Sequence, residues 1–494
     1  MTKIIGGMSL IIILRIIEKL LVIYFSAYFL VDLFLFFYSL RSFRKSKKDY
    51  NPDEVDYTNH SVSIIVPAYN EEVSIVQCVK MLLEVEYDDF EVIVVNDGST
   101  DKTFEKILNE FSLDKIEART NVPLKTAELR EIFQGTKSNI LLIDKENGGK
   151  ADSVNVGINY SSKKYICTID ADSILDSQAL KRVINPMLED EHVFVSGGQL
   201  AASNDLIIKH NRVVSSKMPR NIWVLWQIIE YIKSFMISRI GLSRINALLI
   251  MSGAFSLYKK KDLLSVGGFL TKINDHPYIQ KTIGIGKSTV TEDMEIVIRL
   301  WRYFRENKIK AKVKFLPDPV CWTEVPDNYK NLFKQRARWQ LGLTETLKIH
   351  KKLLFEPKYG ATGMIAMPYY VFFELLSPII KLFTIAFLIV AAIFGLLNQS
   401  WIILLLLSIL IITAVFMSLI TVFIESWSQK RTNVNRDALR YKTFGDWLWL
   451  MFISILSDVS YSFFRLFAQF SGLISFLRKK SEWNKFDRKG LTSE

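Results

Sequence analysis

Two carboxylates stand two residues apart in Asp170-Ala171-Asp172, directly after the apolar run Tyr165–Ile169. Acids delivered together by a buried strand can share one divalent cation, and hard oxygen ligands favour Mg2+ or Mn2+. The plainer alternative is a helix N-cap pair facing solvent. Upstream, Asn147-Gly148-Gly149-Lys150 lets the backbone approach a ligand and brings a cation to a helix start, which suits a phosphate or nucleotide. A Gly-Gly-Lys triplet is also an ordinary loop. Two other apolar runs end in the polar turns Pro67-Ala68-Tyr69-Asn70 and Asn96-Asp97-Gly98-Ser99. There Asp97 can accept from a base or ribose donor and Tyr69 offers a flat face. The same residue types also simply turn a chain and cap a helix.

Three more groups could take part. Ser252-Gly253-Ala254-Phe255 follows an apolar run, and Thr291-Glu292-Asp293 opens an amphipathic stretch. Asp293 can serve as a general base, or as a first-turn acid that favours the helix dipole. Gln335-Arg336-Ala337-Arg338-Trp339 lies on an expected helix just before a long apolar region. Arg338 can clamp a phosphate and Trp339 can stack on a sugar ring; Arg and Trp also anchor chains at membrane interfaces. The cysteines Cys78, Cys167 and Cys321 lie far apart among apolar neighbours and read as reduced core side chains. The five histidines are scattered, so no His/Cys metal site competes.

These side chains need elements to carry them. From about residue 60 to 345, short runs rich in Ile and Val alternate with helical patterns such as Glu71–Glu84 and Ala151–Tyr160. The runs are unbroken rather than alternating, as expected of strands buried on both faces of a parallel sheet. The fold class is α/β, with site loops at the strand C-termini.

The rest of the 494 residues is more apolar than a globular core requires, giving a mean hydropathy of +0.17. Such a composition excludes disordered, collagen-like and disulfide-stapled chains. A net charge of +12 would suit nucleic acid or an anionic membrane face, and the apolar segments favour the membrane over nucleic acid. Leu20–Leu40 supplies about twenty apolar residues broken only by Asp32, the length of one helical crossing. It lacks a signal-peptide cleavage pattern and reads as a retained anchor. The apolar stretch Ile4–Leu14 is expected to lengthen that helix or to lie at the interface. Arg41, Arg44, Lys45, Lys47 and Lys48 then place this flank in the cytoplasm.

Apolar segments return at Met364–Leu397, Trp401–Phe423 and Trp447–Leu477, with residues 398–400 expected to face outward. The loop bearing Lys430, Arg431, Arg436, Arg440 and Lys442 is expected to be cytoplasmic. One crossing by Trp447–Leu477 would put the basic tail Arg478-Lys479-Lys480 outside, against its charge. A re-entrant hairpin or an interfacial helix would keep the tail inside. The segment Asp205–Asn246, with Trp223, Trp226, Tyr231 and Phe235, reads as an amphipathic helix at the membrane surface. The expected division is therefore an anchor and basic flank at 1–48 and a catalytic domain at 60–345. Interfacial and transmembrane helices would follow at 346–477, then a basic cytoplasmic tail at 478–494.

The ordered series Asp97, Asp170-Ala171-Asp172, Thr291-Glu292-Asp293 and Gln335-Arg336-Ala337-Arg338-Trp339 resembles the signature of processive family-2 glycosyltransferases. Cellulose, hyaluronan and poly-N-acetylglucosamine synthases belong to that family. Over roughly residues 60–345 the resemblance implies a Rossmann-like GT-A domain embedded in a multi-pass helical membrane protein. It also implies a UDP-sugar donor (UDP-glucose or UDP-N-acetylglucosamine), Mg2+ or Mn2+, and inversion at the anomeric carbon. Carried over by residue, Tyr69, Asp97 and Lys150 would hold the uridine part, with Asp170 near the diphosphate and Asp172 on the metal. Asp293 would be the base, Gln335 and Arg338 would bind the diphosphate, and Trp339, Gly253 and Ala254 would line the acceptor site. The implied partners are a growing polysaccharide, the lipid bilayer and export proteins, with the catalytic domain on the cytoplasmic side of the cell membrane. Single-sugar transfer to a lipid-linked or short acceptor is the alternative, and a silent scaffold would not need Asp170, Asp172 and Asp293 together.

Overall fold

A computed structural model describes residues 2–46, 55–136, 138–393, 411, 414–427 and 438–479. Strands β1 (Val62–Ala68), β2 (Phe90–Asp97), β5 (Ile140–Lys145) and β6 (Tyr165–Ile169) run parallel in the spatial order β5-β2-β1-β6. Their Ile and Val side chains are almost wholly buried, because helices cover both faces. Chief among these are α2 (Ile75–Leu83), α3 (Thr103–Glu110), α4 (Lys150–Tyr160) and α5 (Ala179–Glu189). The chain builds outward from β1 to β5 and then returns to β6 on the other side. That reversal leaves a crevice at the strand C-termini, where α/β sheets place ligands.

The sheet is wider and more mixed than the unbroken apolar runs suggested. It has ten strands, adding β3 (Leu113–Ile116), β4 (Leu129–Gly135), β7 (Ser173–Leu175), β8 (Val193–Ala202), β11 (Phe255–Lys259) and β12 (Lys312–Thr323). Both β3 and β4 are antiparallel additions at one edge, and β11 runs antiparallel between β6 and β8. Central strands such as β8 and β11 are as buried as the parallel ones. Apolar continuity reports burial, not direction.

Residues 205–216 form a separate hairpin, β9 (Leu206–Lys209) with β10 (Arg212–Ser216), rather than part of a helix. The helical stretch follows as α6 (Ile222–Tyr231), a π-helical segment Ile232–Arg239, and α7 (Ile240–Arg244). Far from lying on a surface, it buries Trp226, Tyr231 and Phe235 between the ten-stranded sheet and the remaining helices. Asn221 caps its start through Trp223 N. The short helices α8 (Lys260–Ser265) and α9 (Pro277–Thr282) lead to α10 (Glu292–Glu306) and the long α11 (Tyr329–Ile349).

Helix α1 (Thr2–Ser46) is continuous through the first apolar stretch, which therefore lengthens it. Its outward face carries Leu20, Ile23, Leu30 and Phe37, all more than half exposed, as an apolar face meant for lipid would be. Past α11, two π-helical segments flank α12 (Met367–Tyr369) and lead into α13 (Ser377–Ile393), bent by 43° at the junction. A shorter apolar helix α14 covers Ala414–Trp427. Among the described residues two helical stretches are long and apolar enough to cross a membrane, or three if the bent pair counts as one. The expected outward loop at 398–400 and the cations Lys47, Lys48, Lys430, Arg431 and Arg436 lie outside the described residues, as does the tail beyond Lys479.

The last apolar stretch is neither broken nor a hairpin. Helix α15 (Phe444–Leu456), a π-helical turn Ser457–Tyr461 and α16 (Ser462–Leu477) form one helical path of 34 residues. Thr443 and Asp446 close a capping box at its start. Both ends touch the part of the chain that carries the sheet and α11: Lys442 Nζ donates to Ser216 O at 3.1 Å, and Lys348 of α11 sits over the Phe476 ring at 4.9 Å.

Candidate active site

Each chemical group arrives at the end of one of these elements. Strand β6 delivers Asp170, and because β11 pairs beside it in register (Ile169 opposite Phe255), Gly253 and Ala254 come alongside. The Asp170 amide donates to Ala254 O at 3.4 Å. Lys150, the first residue of α4, reaches across to Asp170 Oδ1 at 2.5 Å, Glu292 Oε1 at 3.3 Å and Gly253 O at 3.2 Å. Burial opposes its charge, but Asp170 and Glu292 outweigh that and hold the ammonium protonated. Lys150 thus stands among the acids at the centre of the site.

Asp293 enters from the first turn of α10. Its Oδ2 accepts from Gly253 N at 2.9 Å and its Oδ1 from Met294 N at 2.8 Å. A Cβ on Gly253 would lie 3.0 Å from Lys150 Nζ and 3.3 Å from Asp293 Oδ2, so a side chain there would crowd both groups. Burial is the main force raising the Asp293 carboxyl to about 6, with Glu292 adding to it and Lys150 and Arg239 opposing. A carboxyl poised there is ionised at neutral pH yet basic enough to take a proton.

Helix α11 presents Gln335, Arg338 and Trp339, the last 39% exposed. Its register is fixed at two points. Gly342 packs so closely on Thr291 that a Cβ would fall 2.3 Å from the Thr291 methyl. Near its other end, Glu295 of α10 takes Arg299 Nε and Nη2 at 2.9 and 2.7 Å and His350 Nε2 at 3.2 Å, all fully buried. Arg336 donates to Glu230 at 3.1 and 2.5 Å and stacks on Trp339 at 4.1 Å, tying the exposed ring to α6. Arg465 and Tyr461 meet the same Glu230 from the 444–477 helix.

Asp170, Asp172, Lys150, Gly253, Ala254, Asp293, Gln335, Arg338 and Trp339 all line one cavity of about 820 Å³. Tyr69 and Asp97 do not. Asp97 instead anchors the loop before α4: its two oxygens accept from Gly148 N and Gly149 N at 2.9 Å, and buried Lys145 pairs with it. Lys145 also reaches Asp152 at 3.0 Å. Sequence reasoning singled out none of Lys145, Glu230, Arg239, Glu295 or Arg336 for a role. Only Arg336 carried a signal, its place inside the Gln-x-x-Arg-Trp run.

The acids suit a hard cation. Among the described residues no group of three or more His, Cys, Asp or Glu side chains is arranged to hold a metal ion by itself. Asp170 and Asp172 are a two-carboxylate set of the kind that holds Mg2+ together with substrate phosphates and water. A positive charge already sits there, since Lys150 Nζ occupies Asp170 Oδ1.

The same cavity continues between helices, where Tyr28 and Asp32 of α1, Lys381 of α13 and Met417 of α14 line it. Residues 60–342 match the sequence model of a family described as glycosyltransferase-like family 2. A poly-beta-1,6-N-acetyl-D-glucosamine synthase of Staphylococcus aureus (strain COL) is 26% identical over 329 residues, 66% of this chain and 64% of that protein. The Staphylococcus epidermidis synthase of the same name is 27% identical over 330 residues, with the same coverage. The chain thus spans under two thirds of the length of these relatives. Among solved structures, a mannosyltransferase from Pyrobaculum calidifontis in complex with GDP-Man and Mn2+ superposes with a TM-score of 0.52. It is 18% identical and covers 90% of this chain and 99% of its own, a likeness of fold.

Proposed function

The chain belongs to glycosyltransferase family 2, and from that premise we propose that it is a membrane-bound, inverting hexosyltransferase that polymerises a β-linked polysaccharide. The donor is a UDP-sugar, UDP-N-acetylglucosamine or UDP-glucose. One observation carries this reading: a single cavity holds the catalytic acids, the exposed Trp339 and residues of α1, α13 and α14. A growing chain seated on Trp339 would have its way into the membrane helices already open.

The roles follow from position. Lys150 and Arg338 bind the donor diphosphate, with Gln335 beside them. Asp170 and Asp172 would hold Mg2+ or Mn2+, which when bound offsets the charge of the departing diphosphate. Asp293, fixed by Gly253 N, takes the proton of the acceptor hydroxyl as it attacks from the face opposite UDP. Trp339 carries the acceptor's apolar ring face, and Arg336 keeps it in place. We assign Asp97 to holding the Gly148-Gly149 loop, so that its contact with uridine is made alongside that duty. The domain division at 1–48, 60–345, 346–477 and 478–494 is part of the same proposal.

Topology follows from charge and contact. Arg440 Nη2 donates to Ala202 O at 2.9 Å and Lys442 to Ser216 O, so this basic segment sits on the catalytic domain. Positive charge marks the cytoplasmic side, and the 444–477 helix, touching that domain at both ends, runs along the membrane face. The crossings are then α1, α13 and the segment containing α14. A cysteine at Ser99 should be silent to an impermeant probe in intact cells and reactive after permeabilisation; labelling in intact cells would invert the topology.

Incubating the purified protein with each UDP-sugar should release UDP with one or both of these donors. Turnover should stop in excess chelator and return with Mg2+ or Mn2+. Undiminished turnover in chelator would remove the metal from Asp170 and Asp172, and no release from any UDP-sugar would remove the donor assignment.

A further inference from the structure

Arg239 ends the π-helical segment Ile232–Arg239, a local widening of a helix of the kind often found at functional sites. Its guanidinium contacts are aromatic: it lies 4.3 Å from the Phe235 ring centroid and 5.8 Å from that of Phe315. Nη1 is buried with no hydrogen-bond partner among the described residues. A buried guanidinium nitrogen without an acceptor is costly, and a ligand oxygen reaching Nη1 would complete it. Arg239 lines the same cavity as Asp293 and Trp339.

Its place relative to Asp293 identifies the ligand. The charged and titratable groups around Arg239 are Asp293, Tyr231, Tyr370 and Glu374, the last two from the segment leading into α13. Those around Lys150 are Asp170, Glu292 and Asp293. Asp293 is the charged group common to both environments; Lys150 is bonded to Asp170, whereas Arg239 packs on Phe235 and Phe315. In an inverting transfer the leaving diphosphate and the incoming hydroxyl occupy opposite faces of the transferred sugar. With Lys150 assigned to the leaving diphosphate, the other cation acting on Asp293, Arg239, falls to the entering side.

We propose that Arg239 binds oxygens of the acceptor's terminal sugar and holds its attacking hydroxyl against Asp293. This rests on the glycosyltransferase reading above and adds an acceptor-positioning residue outside the recurring motifs. The rings of Phe235 and Phe315 hold the guanidinium plane, so that its N–H groups meet hydroxyl or acetamido oxygens at a fixed angle.

The test uses the full-length protein in detergent or nanodiscs, saturating donor, and short β-linked oligosaccharides of whichever sugar the wild type polymerises. Arg239→Met should raise the KM for the oligosaccharide by roughly ten- to hundred-fold, the range of a lost charge-assisted hydrogen bond. UDP affinity should stay within about two-fold, a margin equal to only ~0.4 kcal/mol. Arg239→Lys, which keeps a donor and the charge, should recover part of the acceptor KM. An unchanged acceptor KM in Arg239→Met overturns the proposal. So does a parallel fall in UDP affinity, which would move Arg239 to the diphosphate. If Arg239→Met fails to fold, Arg239→Lys carries the test: wild-type KM there, despite its altered reach and fork, counts against it. A wild type that elongates nothing overturns the glycosyltransferase reading itself, whereas a polymerising wild type with an indifferent Arg239→Met overturns this inference alone.

Discussion

Asp293→Asn is expected to bind UDP nearly as the parent does while sugar transfer falls by ~10²–10⁴-fold, the usual contribution of a positioned general base. Asparagine can still accept from Gly253 N, so the loop beside Lys150 and Asp170 should keep its place. What it cannot do is take a proton. The parent should show a pH profile to match, because a base at Asp293 would work only when ionised and burial raises its carboxyl to about 6. Transfer should therefore rise as pH climbs through about 6 and level off above it. Replacing Asp293 should remove that acid limb from whatever residual activity remains. Transfer within a few-fold of the parent would leave Asp293 an ordinary acid at a helix start. Glu292 is the obvious competitor, but it faces Lys150 at 3.3 Å and is already committed to that ammonium.

Glu295→Ala should produce the largest loss of stability. Its carboxylate joins Arg299 and His350, and all three side chains are fully buried. Removing one member of such a cluster leaves a buried guanidinium uncompensated, at a cost of about 3–5 kcal/mol. That is a large part of the ~5–15 kcal/mol that holds a typical domain folded. The cluster also joins α10, which bears Asp293, to the far end of α11, which bears Arg338 and Trp339. Loss of activity should accordingly accompany loss of thermal stability in detergent. Burial opposes the charge on Glu295, but Arg299 and His350 outweigh it and hold the carboxyl at about 2. Its folded value thus lies below the ~4.3 of an unfolded glutamate. The stabilisation should be fully present above that unfolded value and fade as pH drops toward about 2. A Glu295→Ala protein that melts with the parent would show that α10 and α11 are held by packing alone.

What was legible in the sequence is what its chemistry writes locally. Asp170 and Asp172 follow an apolar strand, Thr291-Glu292-Asp293 opens a helix, and Trp339 sits four residues after Gln335; each of these lines the cavity. The apolar first helix was equally plain from Leu20 to Leu40, while its extension through Ile4–Leu14 was one of two alternatives. Partnerships across the chain were not. Glu230 and Arg336 are 106 residues apart, and Glu295 and His350 are 55 apart. Nothing in a run of residues says which distant helix will face it. Lys145 and Lys150 show the same limit at short range. Lys145 ends β5 and Lys150 follows five residues later, but the first is buried on Asp97 and the second, opening α4, reaches Asp170. Strand direction escaped for a simpler reason: β8 and β11 are buried on both faces, whichever way they run. The course of Trp447–Leu477 stayed open among a crossing, a hairpin and an interfacial helix because an apolar run long enough to cross a membrane is also long enough to lie along its face.

The central claim is that one cavity both transfers sugar and receives the growing chain. The most direct measurement is product length from the purified protein, with a radiolabelled UDP-sugar supplied at low turnover and the products sized. Successive transfer to a retained chain should give long polymer while most of the protein has yet to begin a product. Products one sugar longer than the acceptor, at every time and every donor concentration, would contradict the account and make this a single-transfer enzyme.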